Sequence, residues 1–398
     1  MVARRARNHG WPSATGGCVV IPIALPLLAH EEAEAARAAV LSGWVSQGPQ
    51  VTAFEQEFAA LVGAPFACAV SNCTTALQLA LAALDIGPGD EVITASHSFI
   101  ATANSIRYQG ATPVFVDIDP ETYNIDPTQV MDAITHRTRA IIAVHQMGIP
   151  CDLAALTAIA KRRGIALIED AACAAGSEIS TGGEWERIGK PHGRIACFSF
   201  HPRKVITTGE GGMLTTADPE LDRKFRLLRQ HGMSIPDTVR HGSPRVLFED
   251  YLVVGYNYRM TDIQAAVGRK QLERLPGLVA RRRAVALGYA ELLGNLEGLR
   301  LPAEPAWARS NWQSYCVRLP DRLDQKGVMQ TLLDQGIATR RGIMCAHREA
   351  PYAAEKHRHQ LRRSELAQDH SILLPIYAQM TEDDMRYVAN ALTRAICR

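Results

Sequence analysis

From about residue 50 to residue 235, short apolar runs alternate with segments whose apolar positions recur at helical spacing. That alternation predicts a mostly parallel sheet covered by helices, an α/β fold. The runs expected as strands are 67–71, 91–95, 112–117, 140–145, 165–169 and 195–200, with helical patterns at 74–84 and 152–163. Asp152 can cap the first amides of the second helix and Gly164 can close its end. Gly87-Pro88-Gly89-Asp90 is a turn that delivers the chain into the strand beginning at Glu91. Beyond Gly268 the pattern changes to a long helical stretch reaching about Leu293, after which Pro302, Pro305 and Pro320 break the chain into shorter pieces. The expected division is a flexible tail over 1–17, an N-terminal segment with a large domain over 18–265, and a linking helix with a smaller α+β domain over 266–398.

Composition narrows the function classes. The net charge of the 398 residues is +2, too small to suggest nucleic acid, and no basic stripe with interleaved aromatics appears. Arg281, Arg282 and Arg283 read as a solvated helix face or a subunit contact. Nine cysteines without C-x-x-C pairs fit a reducing cytoplasm better than a disulfide framework or a structural zinc site. Arg4, Arg5 and Arg7 precede an apolar run over 18–28, as in an export signal. However, Pro22 and Pro26 interrupt it, and Glu31, Glu32 and Glu34 follow without a small-residue cleavage site. The run is also too short to span a membrane. No membrane partner is expected.

An α/β sheet invites nucleotide motifs, and none fits. No G-x-G-x-x-G follows the first strand, and Gly189-Lys190 lacks Walker spacing and precedes Pro191. No histidine pair stands at metal-ligand spacing with a carboxylate. The informative region is Cys197-Phe-Ser-Phe-His-Pro-Arg-Lys204-Val-Ile-Thr-Thr-Gly-Glu-Gly-Gly-Met213, where a strand ends in a polar turn with one lysine. Some 34 residues earlier another strand ends in Asp170-Ala171-Ala172. A lysine and an aspartate at strand ends suit pyridoxal phosphate chemistry: the amine bonds the cofactor, and the carboxylate keeps its ring nitrogen protonated. Taken singly, each is weak evidence, since a lone lysine is most often a solvated surface charge.

Five ordered motifs carry a more specific resemblance: Asn72-Cys-Thr-Thr-Ala-Leu77, Ile168-Glu-Asp-Ala-Ala172, Phe198-Ser-Phe-His-Pro-Arg-Lys204, Thr208-Gly-Glu-Gly-Gly-Met213 and Gly255-Tyr-Asn-Tyr-Arg-Met-Thr-Asp262. Ser42-Gly-Trp-Val-Ser-Gln-Gly-Pro49 and Arg340-Arg-Gly-Ile-Met344 match as well. From about Ile21 onward the chain resembles the DegT/DnrJ/EryC1/StrS family of pyridoxal-phosphate-dependent nucleotide-sugar aminotransferases. The resemblance implies fold-type I, the aspartate-aminotransferase-like architecture. It also implies pyridoxal 5′-phosphate as cofactor, an amino donor that is usually L-glutamate, a keto-sugar acceptor, and a homodimer with shared active sites.

Residue by residue, Lys204 matches the lysine that bonds the cofactor and shuttles the proton, and Asp170 matches the partner of the ring nitrogen. Ala172 should lie under one ring face and Phe99 over the other. The phosphate should meet the backbone amides of Thr74 and Thr75, Ser199, and an Asn257 supplied by the neighbouring subunit. His201 would support the cofactor turn, whereas Thr207, Thr208 and Glu210 can equally be structural. Gln47, Arg340 and His347 are expected substrate contacts. Cys73 stands where a glycine is usual, and Val205 replaces a common asparagine. Cys173 replaces a His or Gln that approaches the cofactor's phenolic oxygen. Alternative readings keep the cofactor but change the acceptor to an aminocyclitol ketone or an aromatic precursor. A non-catalytic regulatory relative is a further alternative, one with no need for an intact Lys204, Asp170 and Ser199.

Overall fold

The structure is a computed structural model and describes residues 21–235, 239–240, 243–354 and 357–397. The expected tail over 1–17 lies outside the described residues. The central sheet contains β1 (Phe66–Val70), β2 (Glu91–Ala95), β3 (Thr112–Val116), β4 (Thr138–Val144), β5 (Ala166–Asp170), β8 (Ile195–Ser199) and β9 (Gly212–Thr216). Between β5 and β8 the chain forms a hairpin, β6 (Glu178–Thr181) and β7 (Glu184–Arg187), which pairs with the short β10 (Ala308–Arg309).

The sheet order is β1-β9-β8-β5-β4-β2-β3. Six strands are parallel, and β9 runs antiparallel between β1 and β8. The six anticipated strands are all present within two residues at each end. β9 was missed, because its glycine-rich entry reads as a loop. Its direction has a consequence: it starts, at Gly212, on the edge where the parallel strands end. In an open parallel sheet that edge is where ligands bind.

Strands such as β2, β8 and β9 are buried along their whole length, as expected for a sheet covered on both faces. One core joins Phe54, Phe58, Phe198 and Phe200 to the sheet and to Leu272, Leu275 and Leu278. Those leucines belong to a 32-residue helix, Asp262–Leu293. Its far half, with Val285, Tyr289 and Leu293, enters a second core with β11 (Tyr315–Arg318), β13 (Ser371–Leu374) and the helix Glu382–Ile396. A third sheet, β11-β13-β12, is completed by β12 (Arg340–Arg341). Ile21 joins this second core and donates its amide to Gly336, 3.1 Å away.

Asp262 ties the large core to the start of the chain. Its carboxylate accepts from the amides of Gly48, Gln50 and Val51 at 2.8, 3.0 and 2.9 Å, capping the helix Pro49–Val62. The Arg281–Arg283 cluster corrects the sequence reading. Arg282 is buried and donates to the carbonyls of Ile376 and Gln313, so it braces the two cores instead of facing solvent. Among the described residues no helix is long and apolar enough to cross a membrane.

Candidate active site

Asp170 ends β5 and Ser199 ends β8; the two strands are neighbours, with Asp170 opposite Cys197. Beyond Ser199 the chain makes a tight turn in which the Lys204 amide donates to the His201 carbonyl at 2.8 Å. Pro202 sits where its fixed φ favours such a turn. The amide of Arg203 donates to His201 Nδ1 at 3.2 Å, and Thr207 and Thr208 close the loop through the carbonyls of Phe200 and Glu210. The result is a short, internally bonded loop that presents Lys204 at the sheet edge.

Lys204 Nζ lies 3.1 Å from Cys173 Sγ. Cys173 stands where a His or Gln is expected to approach the cofactor's phenolic oxygen, and here its sulfur accepts from the lysine amine. Asp170 is buried and held by two donors, Thr102 Oγ1 at 2.8 Å and the amide of Ala172 at 3.2 Å. Burial pushes its carboxyl above the usual carboxylate range, and the Thr102 hydrogen bond, the Ala172 amide, Lys204 and His145 oppose that push. A buried carboxylate of this kind is completed by a cation placed against it. The protonated ring nitrogen of pyridoxal phosphate is such a cation.

Behind Asp170 lies a buried pair that composition alone did not reveal. His145 Nδ1 accepts from the amide of Cys151 at 2.9 Å, so the bond network assigns the ring proton to Nε2, which faces Glu169 at 3.1 Å. The other Glu169 oxygen accepts from Gly193 at 2.8 Å. Thr102 was also missed, although it stands only three residues after Phe99. Ser98 Oγ lies 2.9 Å from its hydroxyl, extending the chain of hydrogen bonds away from Asp170.

The end of β1 supplies a helix N-terminus at the same edge. The helix Cys73–Ala83 is capped by Asn72, whose Oδ1 accepts from the Thr75 amide at 2.9 Å. The Thr75 hydroxyl returns a bond to the Asn72 carbonyl at 2.7 Å. In this structure the Thr75 amide is engaged by the cap, and the first turn near Thr74 lies open to an anion. Cys73 is the first helical residue, with no left-handed backbone, so a side chain replaces glycine there without strain. Its thiol is pushed well up by burial and then by Asp170, and remains protonated. Gly212 packs directly on this turn, where an added Cβ would lie 2.5 Å from the Asn72 carbonyl.

Phe99 is 62% exposed at the end of the β2 segment, a large ring with a free face. The remaining expected residues are placed less directly. His347 has both ring nitrogens occupied: Nδ1 is 2.6 Å from Ser96 Oγ and Nε2 is 3.2 Å from Glu365. Ser96 is fully buried, so this Ser-His-Glu arrangement clamps a loop to the end of β2 and exposes no nucleophile. Gln47 carries a buried Oε1 without a hydrogen-bond partner among the described residues. Asn257 is exposed and bridged to Gln230, and no hydrogen bond joins it to Lys204 within the described residues. Pyridoxal phosphate fits what is present: an amine, a buried carboxylate short of a cation, an open helix turn and an aromatic face.

The model of the DegT/DnrJ/EryC1/StrS aminotransferase family matches residues 26–393. This chain belongs to that family. It is 39% identical over 379 residues to the spore coat polysaccharide biosynthesis protein SpsC of Bacillus subtilis (strain 168), a match covering 94% of this chain and 96% of SpsC. Among solved structures, S. venezuelae DesV, in complex with a ketimine intermediate, is 34% identical with a TM-score of 0.85, covering 92% of this chain and 95% of DesV. Spr1654 from Streptococcus pneumoniae is 26% identical, covering 94% of this chain and 98% of that one. Its PLP-form and PMP-form superpose with TM-scores of 0.86 and 0.87. As a member of this family the chain is a pyridoxal-phosphate-dependent aminotransferase of fold-type I, from a family that acts in sugar biosynthesis.

Proposed function

We propose that this aminotransferase converts a nucleotide-linked keto-sugar to an amino sugar with L-glutamate as donor, in the cytoplasm. It would act as a homodimer that shares its active sites. The observation that carries the reading is the meeting of Lys204, Cys173 and the buried Asp170 at the ends of β5 and β8. Bound pyridoxal phosphate supplies an electron-poor ring that accepts the electron pair released at the substrate carbon.

The chain's residues divide the remaining work. Asp170, oriented by Thr102, holds a proton on the ring nitrogen by its negative charge. Lys204 Nζ would move a proton between the substrate carbon and the cofactor's C4′, as base and then acid, in one direction for the donor and in the reverse direction for the acceptor. Cys173, in contact with that amine, keeps it aimed. Phe99 and Ala172 would flank the ring. Ser199 and the helix turn at Thr74 would hold the phosphate, His201 would support the turn, and Gln47, Arg340 and His347 would border the substrate.

The shared site rests on the segment leading to Asn257. Val246, Phe248, Leu252 and Val254 are 83, 87, 61 and 92% exposed, an apolar surface that a second subunit would cover. Asn257 follows directly and would reach the neighbouring phosphate. The domain boundaries at 18–265 and 266–398 belong to the same reading: one unit carries the sheet edge and the other shapes the substrate side.

Two experiments test this. Borohydride reduction of the purified holoenzyme should fix a pyridoxyl group on the peptide containing Lys204; an unlabelled peptide overturns the reading. Incubation with glutamate and a panel of nucleotide-linked keto-sugars, cyclitol ketones and aromatic precursors should yield an aminated nucleotide sugar and 2-oxoglutarate. Amination of another class alone moves the acceptor assignment there, and absence of any 2-oxoglutarate favours the non-catalytic relative.

A further inference from the structure

Among the described residues eight thiols are free, and one of them differs from the rest in its surroundings. Cys68, Cys73, Cys151, Cys197, Cys316 and Cys345 are buried, and burial pushes each thiol up, to about 12 for Cys68, Cys316 and Cys345. A buried, protonated thiol is chemically inert. Cys397 is exposed at the end of the last helix. Cys173 is half-buried at the sheet edge, and its Sγ lies 3.1 Å from Lys204 Nζ. Proton transfer across that contact gives either thiol and amine or thiolate and ammonium, and the thiolate is the form that an oxidant meets.

Backbone hydrogen bonds hold the pair in place. Asn311 Nδ2 donates to the Cys173 carbonyl at 2.8 Å. Gln313 Nε2 donates at 2.5 Å to the carbonyl of Arg203, the residue before Lys204. The Gln313 amide in turn donates to Asn311 Oδ1 at 2.8 Å. Asn311 and Gln313 are both buried, so one short segment grips the chain on both sides of the contact. A sulfur and a nitrogen fixed at this separation are already placed as a near-attack pair.

We propose that Cys173 and Lys204 form a redox modification site, in which a hydroperoxide oxidises the sulfur and the lysine amine then closes a reversible sulfur–nitrogen bond. The inference rests on the reading of Lys204 as the lysine that bonds the cofactor. In the first step the Cys173 thiolate attacks a peroxide oxygen. The sulfur–oxygen bond forms, the oxygen–oxygen bond breaks, the sulfur is oxidised to the sulfenic acid, and the reduced fragment leaves as water or an alcohol after taking a proton. In the second step the Lys204 amine, its extra proton released to solvent, attacks the sulfur. The sulfur–nitrogen bond forms and the sulfur–oxygen bond breaks. The hydroxide that leaves takes a proton from the nitrogen and departs as water. Two molecules of a small thiol reverse the bridge, becoming a disulfide and returning the Cys173 thiol and the Lys204 amine. A bridged Lys204 cannot bond the cofactor, so turnover stops. Its amine is free only in the half of the cycle in which the cofactor carries the amino group, so the site is open to oxidation when the acceptor is scarce.

The test exposes two holoenzymes, one loaded with pyridoxamine phosphate and one with pyridoxal phosphate, to hydrogen peroxide and reads their unreduced peptides by mass spectrometry. The pyridoxamine phosphate form should yield the peptides of Cys173 and Lys204 joined, lighter by two hydrogens than their sum. Its activity should fall in step with the bridged fraction, and dithiothreitol should restore it. The pyridoxal phosphate form should yield no bridge. Cys173→Ser, compared with its own untreated rate, should show no thiol-reversible loss, and Cys397→Ser should respond as the unsubstituted protein does. Absence of a bridge in both forms overturns the proposal, as does an equal reversible loss in Cys173→Ser or passage of Cys173 to the sulfinic acid without a bridge. Borohydride labelling of Lys204 in untreated pyridoxal phosphate samples reports the cofactor reading separately. A labelled protein that forms no bridge fails only the modification site, and an unlabelled one fails the underlying function.

Discussion

Thr102 is a positioning residue whose effect should be measurable apart from binding. Its hydroxyl donates to Asp170 Oδ2 at 2.8 Å, and its loss leaves a buried carboxylate with one donor fewer. Thr102→Val should slow the glutamate-driven half-reaction about tenfold, the scale of one hydrogen bond to a charged group. The glutamate concentration for half-maximal rate should barely change, and Thr102→Ser should recover most of the loss. Stopped-flow absorbance of the cofactor band would read both. A second residue-scale expectation concerns stability. Burial pushes the His97 imidazole down to about 3, with Asp117 acting in the opposite sense. Neither of its ring nitrogens has a hydrogen-bond partner among the described residues. A base with a depressed folded-state pKa stays neutral in the fold while the unfolded chain takes up a proton. Its contribution is therefore intact above about pH 6.5 and declines as pH falls toward 3, by at most about 1.4 kcal/mol per pH unit. His97→Phe keeps a ring against Tyr123, 5.6 Å away, and should flatten the fall of melting temperature between about pH 6 and pH 4. Equal slopes in the two proteins would sink that account.

At the level of elements, the decisive contact is between β9 and the helix Cys73–Ala83. A Cβ on Gly212 would lie 2.5 Å from both the carbon and the oxygen of the Asn72 carbonyl and 2.9 Å from the Cys73 nitrogen, all backbone atoms. Gly212→Ala must push the strand off the turn or distort the cap. The expected cost is about 1–3 kcal/mol of stability, together with weaker cofactor retention, measured by thermal melting and by dialysis of the holoenzyme. This contact also shows what could be read in advance. The parallel strands were legible because buried strands such as β4, Thr138–Val144, carry a continuous apolar run, here 140–144. β9 was not, because Gly212 is selected by close approach to the Asn72 backbone and Gly211 by close approach to the Thr208, Met260 and Phe200 side chains, which leaves no local period. The placement of Lys204 and Asp170 at one sheet edge was legible from motif and from position at or just beyond strand ends. The Lys204–Cys173 pairing, the Thr102 bond and the spent Thr75 amide were not, since each depends on side-chain direction and on which donor a neighbour takes first. His347, an expected substrate contact, has both ring nitrogens occupied, by Ser96 and Glu365, a pairing that no local pattern announces.

For the whole molecule, the exposed segment before Asn257 makes the oligomer part of the catalytic argument. Phe248 and Val254 are 87 and 92% exposed, an apolar surface that the proposed dimer would cover. The segment is nevertheless anchored to its own subunit at its far end: the Ser71 amide donates to the Tyr258 carbonyl at 2.8 Å, and the Tyr258 hydroxyl reaches Gln78 at 2.6 Å. In the proposed dimer this anchored segment would turn its apolar outer face to the second copy. Phe248→Asp with Val254→Asp should therefore shift the protein toward monomer in sedimentation and release cofactor, although Lys204 and Asp170 are untouched. Mixing subunits makes the sharing itself visible. Lys204→Ala and Asn257→Ala homodimers should each be nearly inactive. In a heterodimer of the two, one site combines Lys204 with the partner's intact asparagine while the other carries both defects. Statistical reassortment makes half of the dimers heterodimers, each with one whole site, so the mixture should regain about a quarter of wild-type activity, by counting sites under symmetric pairing. If both homodimers are inactive and reassortment, verified by mass, restores nothing, Asn257 serves its own subunit and the shared site is wrong.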